Sequence, residues 1–108
     1  DFLFPQIQQV MKVAGKWHKR GEDGHVIFGG FDGDAGAYQL LLDGYLDADG
    51  VQNLFLEVDM AFGAFEEMWA GEKPAKLLLD PGFVITTENL EKARDEMWGY
   101  IVWKKDNG

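Results

Sequence analysis

Apolar residues Leu3, Ile7, Val10, Met11 and Ala14 fall on one side of a helix, and Gly15 stands where that helix would stop. From Lys16 to Gly24 the period breaks; the segment is polar, basic and bracketed by glycines, as surface loops are. The continuous apolar run from His25 to Phe31 predicts a strand buried on both faces, as in a parallel sheet. Asp34 to Asp43 predicts a short helix with Ala37, Tyr38, Leu41 and Leu42 on its apolar side, closed by Gly44. A second, weaker strand is expected over Tyr45 to Val51. Helical spacing returns in Leu54, Val58, Ala61, Phe62, Phe65, Met68 and Trp69, a long amphipathic helix ended by Gly71 and Pro74. Its aromatics, Phe55 included, are spaced as core. Lys76 to Leu79 and Phe83 to Thr86 predict extended runs on either side of the turn Asp80-Pro81-Gly82. Thr87 is placed to cap a helix from about Glu88 to Met97, which Gly99 breaks. Tyr100 to Trp103 reads as a short strand or a further turn of helix.

Helices and strands thus alternate, and alternation of this kind implies an α/β protein with mainly parallel strands and helices on both faces, three layers in all. In such sheets ligands bind where the strands end at their carboxyl side. Asp32 and Gln52 both fall at that edge.

Composition narrows the picture. A chain of 108 residues allows one domain with a modest core, and 46% hydrophobic residues suit a packed globule. Nineteen acids against ten Lys and Arg give a net charge of -9, which repels phosphate backbones and argues against a nucleic-acid partner. Without Cys there are no disulfides, thiolate metal sites or cysteine nucleophiles. With no Ser there is no Ser-His-Asp triad. His18 lies in the basic loop and His25 at a strand start, where a structural role is expected, so no catalytic residue, metal ligand or cofactor is assigned. No apolar run approaches the ~20 residues that span a bilayer. Beginning at Asp1 without Met or a leader, the chain is expected to be a processed or trimmed piece.

Two acidic glycine turns carry the candidate chemistry. An EF-hand loop needs acids at its first, third and fifth positions and Gly at the sixth; counted from Asp32 or from Asp47 the pattern fails. The run Gly29-Gly30-Phe31-Asp32-Gly33 does not match a dinucleotide loop, and its Asp would repel a pyrophosphate. A polyol fits better: a carboxylate accepts from two vicinal hydroxyls, an amide both donates and accepts, and flanking glycines admit a bulky ring. Equally open is a plain reading in which Asp32 caps the helix near Asp34 while Asp47 and Asp49 are merely solvated.

The order of several short motifs resembles a known family. A strand ending G-F-D-G at Gly30 to Gly33 is followed by D-G-Y-L at Asp43 to Leu46, A-D-G-V-Q-N at Ala48 to Asn53, and A-G-E-K-P at Ala70 to Pro74. F-V-I-T-T-E-N-L at Phe83 to Leu90 completes the series. Together they are similar to the C-terminal portion of ribose-binding-protein-like, type I periplasmic binding proteins, the sugar-capturing subunits of ABC importers.

The resemblance implies two α/β lobes closing on one sugar or polyol, with this chain only the final third. It makes Asp32 the acid that chelates sugar hydroxyls, Gln52 the polar residue contacting the ring, Asp1 the acid of an N-D or S-D pair, and Phe2 a neighbour of the site. Residues 1–51 would belong to the C-terminal lobe, 52–53 to the hinge, 54–75 to a helix of the N-terminal lobe, and 76–108 to a crossover strand and tail. Exposed tail aromatics Trp98, Tyr100 and Trp103 would cover surface left by the missing lobe. Implied partners are a sugar or polyol, a membrane permease, and the missing N-terminal lobe or a second copy; the implied location is periplasmic or extracellular. An effector-binding core of a LacI-like regulator, which shares the fold, is the alternative.

Overall fold

The computed structural model describes residues 1–108. It is a mixed α/β fold of five α-helices and one three-stranded sheet. Helix α1 (Phe4–Val13), with Pro5 in its first turn, leads through a long loop to β1 (Gly29–Asp32), α2 (Ala35–Asp43) and β2 (Ala48–Val51). Next come α3 (Leu54–Trp69), β3 (Phe83–Thr86), α4 (Leu90–Ala93), a 3₁₀ turn at Arg94–Glu96 and α5 (Trp98–Asn107). No helix is long and apolar enough to cross a membrane.

Strand order is β1-β2-β3. As expected, β1 and β2 run parallel, with Asp32 opposite Val51. Against the expectation, β3 runs antiparallel to β2, with Val51 opposite Phe83. The chain leaves the sheet at Val51 and re-enters it at Phe83, so departure and return share one edge and the direction must reverse. The Asp80 carboxylate ties that edge together: Oδ2 accepts from Asn53 N at 2.7 Å and Oδ1 from Gly82 N at 2.8 Å. These backbone hydrogen bonds hold its carboxyl below the ordinary aspartate range.

One face of the sheet carries the core. Asp49, Val51 and Ile85 are buried there beneath Phe4 of α1, Ala37, Tyr38 and Leu41 of α2, and Met97 and Tyr100 at the start of α5. Phe31 and Val84 on the other face stay 64% and 60% exposed. The expected burial of His25 to Phe31 on both faces is therefore corrected. Only Gly29–Asp32 is strand, and Ile27 is 86% exposed because no helix lies over it. Lys76 to Leu79 forms no strand, having no neighbour to pair with.

Two further expectations change. Helix α3 has the expected bounds, yet none of its residues is buried, and Phe62 and Trp69 are 63% and 80% exposed. Its stripe projects from a molecule 60 Å long instead of entering the core. Conversely, the tail is core and not cover. α5 packs on α2 through Tyr38, whose ring centroid is 4.9 Å from those of Tyr100 and Trp103, and Trp103 Nε1 donates to Gln39 Oε1 at 2.6 Å. That contact is possible because Gly99 has no side chain: a Cβ there would lie 2.3 Å from the Gly33 carbonyl oxygen and 2.2 Å from the Asp34 carbonyl carbon.

Local hydrogen bonds explain the helix ends. The cap of α2 is Asp34, whose Oδ1 accepts from Ala37 N at 2.7 Å, and not Asp32. Asn53 caps α3 in the same way through Leu56 N. Thr87 caps nothing; Asn89 Oδ1 instead accepts from Thr86 N, and Thr87 takes a hydrogen bond from Arg20. The expected helix from Glu88 to Met97 is thereby shortened to Leu90–Ala93 plus the 3₁₀ turn.

The long loop is fastened by His25. Nδ1 faces the His18 carbonyl at 2.8 Å while Nε2 faces both oxygens of Asp47, at 3.0 and 2.9 Å. Two ring nitrogens facing two acceptors favour the doubly protonated ring. The His18 carbonyl, then the Asp47 carboxylate, raises its pKa above the usual 6.5.

Two outcomes are expected. Gly99→Ala forces α5 off the β1–α2 turn and lowers unfolding free energy by about 3 kcal/mol in denaturant titration, the upper end for overpacking. The His25 contribution is fully present below the unfolded pKa of ~6.5 and is lost as pH rises through the raised folded value. His25→Gln therefore lowers the melting temperature at acidic pH and leaves it nearly unchanged at alkaline pH.

Candidate functional site

Asp32 is the last residue of β1, and Gln52 follows the last residue of β2. Because these strands are parallel and in register, both residues emerge at one carboxyl-terminal edge, where Gln52 N donates to the Asp32 carbonyl at 3.2 Å. Asp32 is the only non-glycine residue with positive φ, at 132°. A side chain held in that region costs of order 1–3 kcal/mol, so the fold maintains a strained aspartate at the carboxyl-terminal edge of its parallel strands.

Two groups from distant chain segments hold this edge. Trp98 Nε1 donates to the Asp32 carbonyl at 2.9 Å, and Gly99 N donates to the Gly33 carbonyl at 3.0 Å. From the other side, Asp1 Oδ2 accepts from Gly33 N at 2.8 Å and from Asp34 N at 3.2 Å. Asp1 thus joins Asp32 through the backbone of the turn, its carboxylate engaged by amides. Phe2 is 79% exposed. With Asp1, Phe4, Gln8, Asp34 and Gln39 it borders a cleft of about 250 Å³ that neither of those two residues lines. The structure therefore brings Asp32 and Gln52 together, adds Asp1 behind them, and leaves Phe2 outside.

Asp49 corrects the sequence reading most sharply. Expected to be solvated, it is fully buried, with no hydrogen-bond partner for either carboxyl oxygen. Burial pushes its pKa up to about 7; the amine of Asp1 pulls it down, the charge of Asp34 pushes it up, the nearby Gly33 backbone N–H pulls it down, and the charge of Asp32 pushes it up. Strand alternation carried the signal, since Asp49 shares a face with the apolar Val51 two positions on. Asp47 is not simply solvated either, being the partner of His25 and of Phe28 N. Nothing local announces Trp98, whose contact with Asp32 spans 66 residues of sequence.

The edge offers a carboxylate, an amide side chain and a glycine-flanked turn, a donor and acceptor set that suits neutral hydroxyls. No group of three or more His, Cys, Asp or Glu is placed to hold a metal ion. Replacing Trp98 by Phe removes one of two donors to the Asp32 carbonyl. The expected loss is about 1 kcal/mol of stability in denaturant titration, with altered amide shifts confined to Asp32 to Asp34 and the start of α5.

No protein-family model matches this chain, and no curated protein is significantly similar to it.

Proposed function

We propose that this chain is the C-terminal portion of a solute-binding protein of an ABC importer, capturing a sugar or polyol between two lobes. The observation that carries the reading is the register of β1 and β2, which ends both strands at one edge and joins the Gln52 backbone N–H to the Asp32 carbonyl. There the Asp32 carboxylate accepts from adjacent hydroxyls, and the Gln52 amide donates to one hydroxyl or ring oxygen and accepts from another.

The excursion from Gln52 to Gly82 supports a two-lobed arrangement of the type I periplasmic-binding-protein kind. It leaves and returns beside Asp80, and its apolar helix α3 buries none of its residues within the chain. On this reading α3 packs against the other lobe, a third layer covers the open sheet face, and residues 52–53 are part of the hinge. Bound sugar bridges the lobes and shifts the population to the closed form, which docks on the permease outside the cytoplasm.

Calorimetric titration of the intact protein carrying this chain with pentoses, hexoses and polyols tests the reading. One ligand binds, and Asp32→Ala weakens it about 100-fold or more, as expected for losing charge-assisted hydrogen bonds of 1.5–3 kcal/mol each. Asp32→Gly abolishes binding equally while raising stability by about 1 kcal/mol, because glycine adopts the positive φ without strain. Sugar affinity unchanged in both variants refutes the site.

A further inference from the structure

We infer that Asp1 and Asp49 share one proton beside Gly30, and that this proton governs the turn on which Asp32 is carried. Three carboxyl oxygens are buried with no donor in good hydrogen-bond geometry, Oδ1 of Asp1 and both oxygens of Asp49, the Gly33 backbone N–H lying close enough to Asp49 only to lower its pKa. The two Oδ1 atoms both border the space over the bare Cα of Gly30, where a Cβ would lie 2.5 Å from Asp1 Oδ1 and 2.6 Å from Asp49 Oδ1. The same point is 2.3 Å from the Phe4 ring, so the gap is closed from the α1 side. Two carboxylates facing each other in a water-poor space repel strongly, whereas one proton between them turns the contact into a short O–H···O hydrogen bond.

The charged neighbours are few. From the first segment come the carboxyl and amine of Asp1, the amine donating to the Phe31 carbonyl at 3.2 Å. From β1 comes Asp32, and from the start of α2 comes Asp34, whose Oδ1 is already taken by Ala37 N. Ile85 stands opposite on β3, and α1 contributes Phe4; neither titrates. Burial, the largest influence on Asp49, favours the protonated form up to about pH 7.

The pair is coupled to the binding edge by the other half of the Asp1 carboxylate. Oδ2 holds the N–H groups of Gly33 and Asp34, the two residues directly after Asp32. While the proton is shared, Asp1 is drawn inward and its Oδ2 stays on both amides. Once the proton leaves, repulsion from Asp49 drives Asp1 outward, both amides lose their acceptor, and the turn slackens. The consequence for a ligand, tighter binding at mildly acidic than at alkaline pH, rests on the sugar-site reading; the proton pair itself does not.

NMR on the 108-residue chain labelled with ¹³C in its aspartate carboxyls and ¹⁵N in its amides tests the inference. His25→Gln serves as background, since it removes the one other group with a raised pKa on β2's flank, the imidazole paired with Asp47. One aspartate carboxyl is expected to titrate near neutral pH instead of near the ordinary ~4, with the Gly33 and Asp34 amides shifting at the same midpoint. Asp49→Asn, which keeps the shape of the neutral acid and supplies a donor to Asp1, removes both titrations. It also abolishes the fall in melting temperature between about pH 5 and about pH 8, because a raised carboxyl pKa stabilises below its unfolded value and is lost on rising through the folded one.

All aspartates titrating below about pH 6 overturns the inference. So do Gly33 and Asp34 amides that ignore the neutral titration, or that keep it in Asp49→Asn. Should Asp49→Asn fail to fold, the carboxyl and amide midpoints of the background chain still decide. Failure of sugar binding leaves all these shifts in place, so the two readings fail separately.

Discussion

The Asp32 carbonyl oxygen is the meeting point of the molecule. It accepts the Gln52 amide, which locks β2 beside β1, and the Trp98 indole N–H, which anchors the last helix. One residue later the Gly33 carbonyl accepts Gly99 N, while the Gly33 amide is taken by Asp1. Three separated parts of the chain thus converge on two peptide groups. Buried backbone groups must find partners, and here those partners are supplied by the first residue, the second strand and the last helix. The strain at Asp32 persists because all of them oppose its relaxation.

This convergence divides the molecule into a firm part and a projecting part. The firm part is the sheet face covered by α1, α2 and α5, closed by Tyr38, Leu41, Met97 and Tyr100. The projecting part is α3 with the following segment, whose aromatics and Leu77 to Leu79 remain in solvent. Asp80 stands at the junction, gripping Asn53 and Gly82 together. The chain thus leaves and re-enters the sheet through one carboxylate-bridged point.

Electrostatics concentrates at the same edge. Asp1, Asp32, Asp34 and Asp49 crowd one turn; two are satisfied by amides, one is strained, and one is buried without a partner. Crowding like charges in so small a space raises their mutual repulsion. The His25–Asp47 pair, on the far side of β2, is by contrast fully satisfied and serves to fasten the loop.

The order of elements was legible from the residues because periodicity, glycine stops and turn dipeptides are local properties. α1, α2, α3 and β3 fall where the spacing placed them, and the placement of Asp32 and Gln52 at one edge followed from strand ends alone. What the sequence could not decide is which apolar surfaces find each other. Phe62 and Trp69 on α3 have the same helical spacing as Tyr38 and Leu41 on α2, yet only α2 meets α5. The direction of β3, the burial of Asp49 and the grip of Trp98 on Asp32 likewise depend on contacts between residues far apart in the chain. Those contacts exist only once the chain has closed, since hydrophobic pattern specifies that a face is to be buried but not against what.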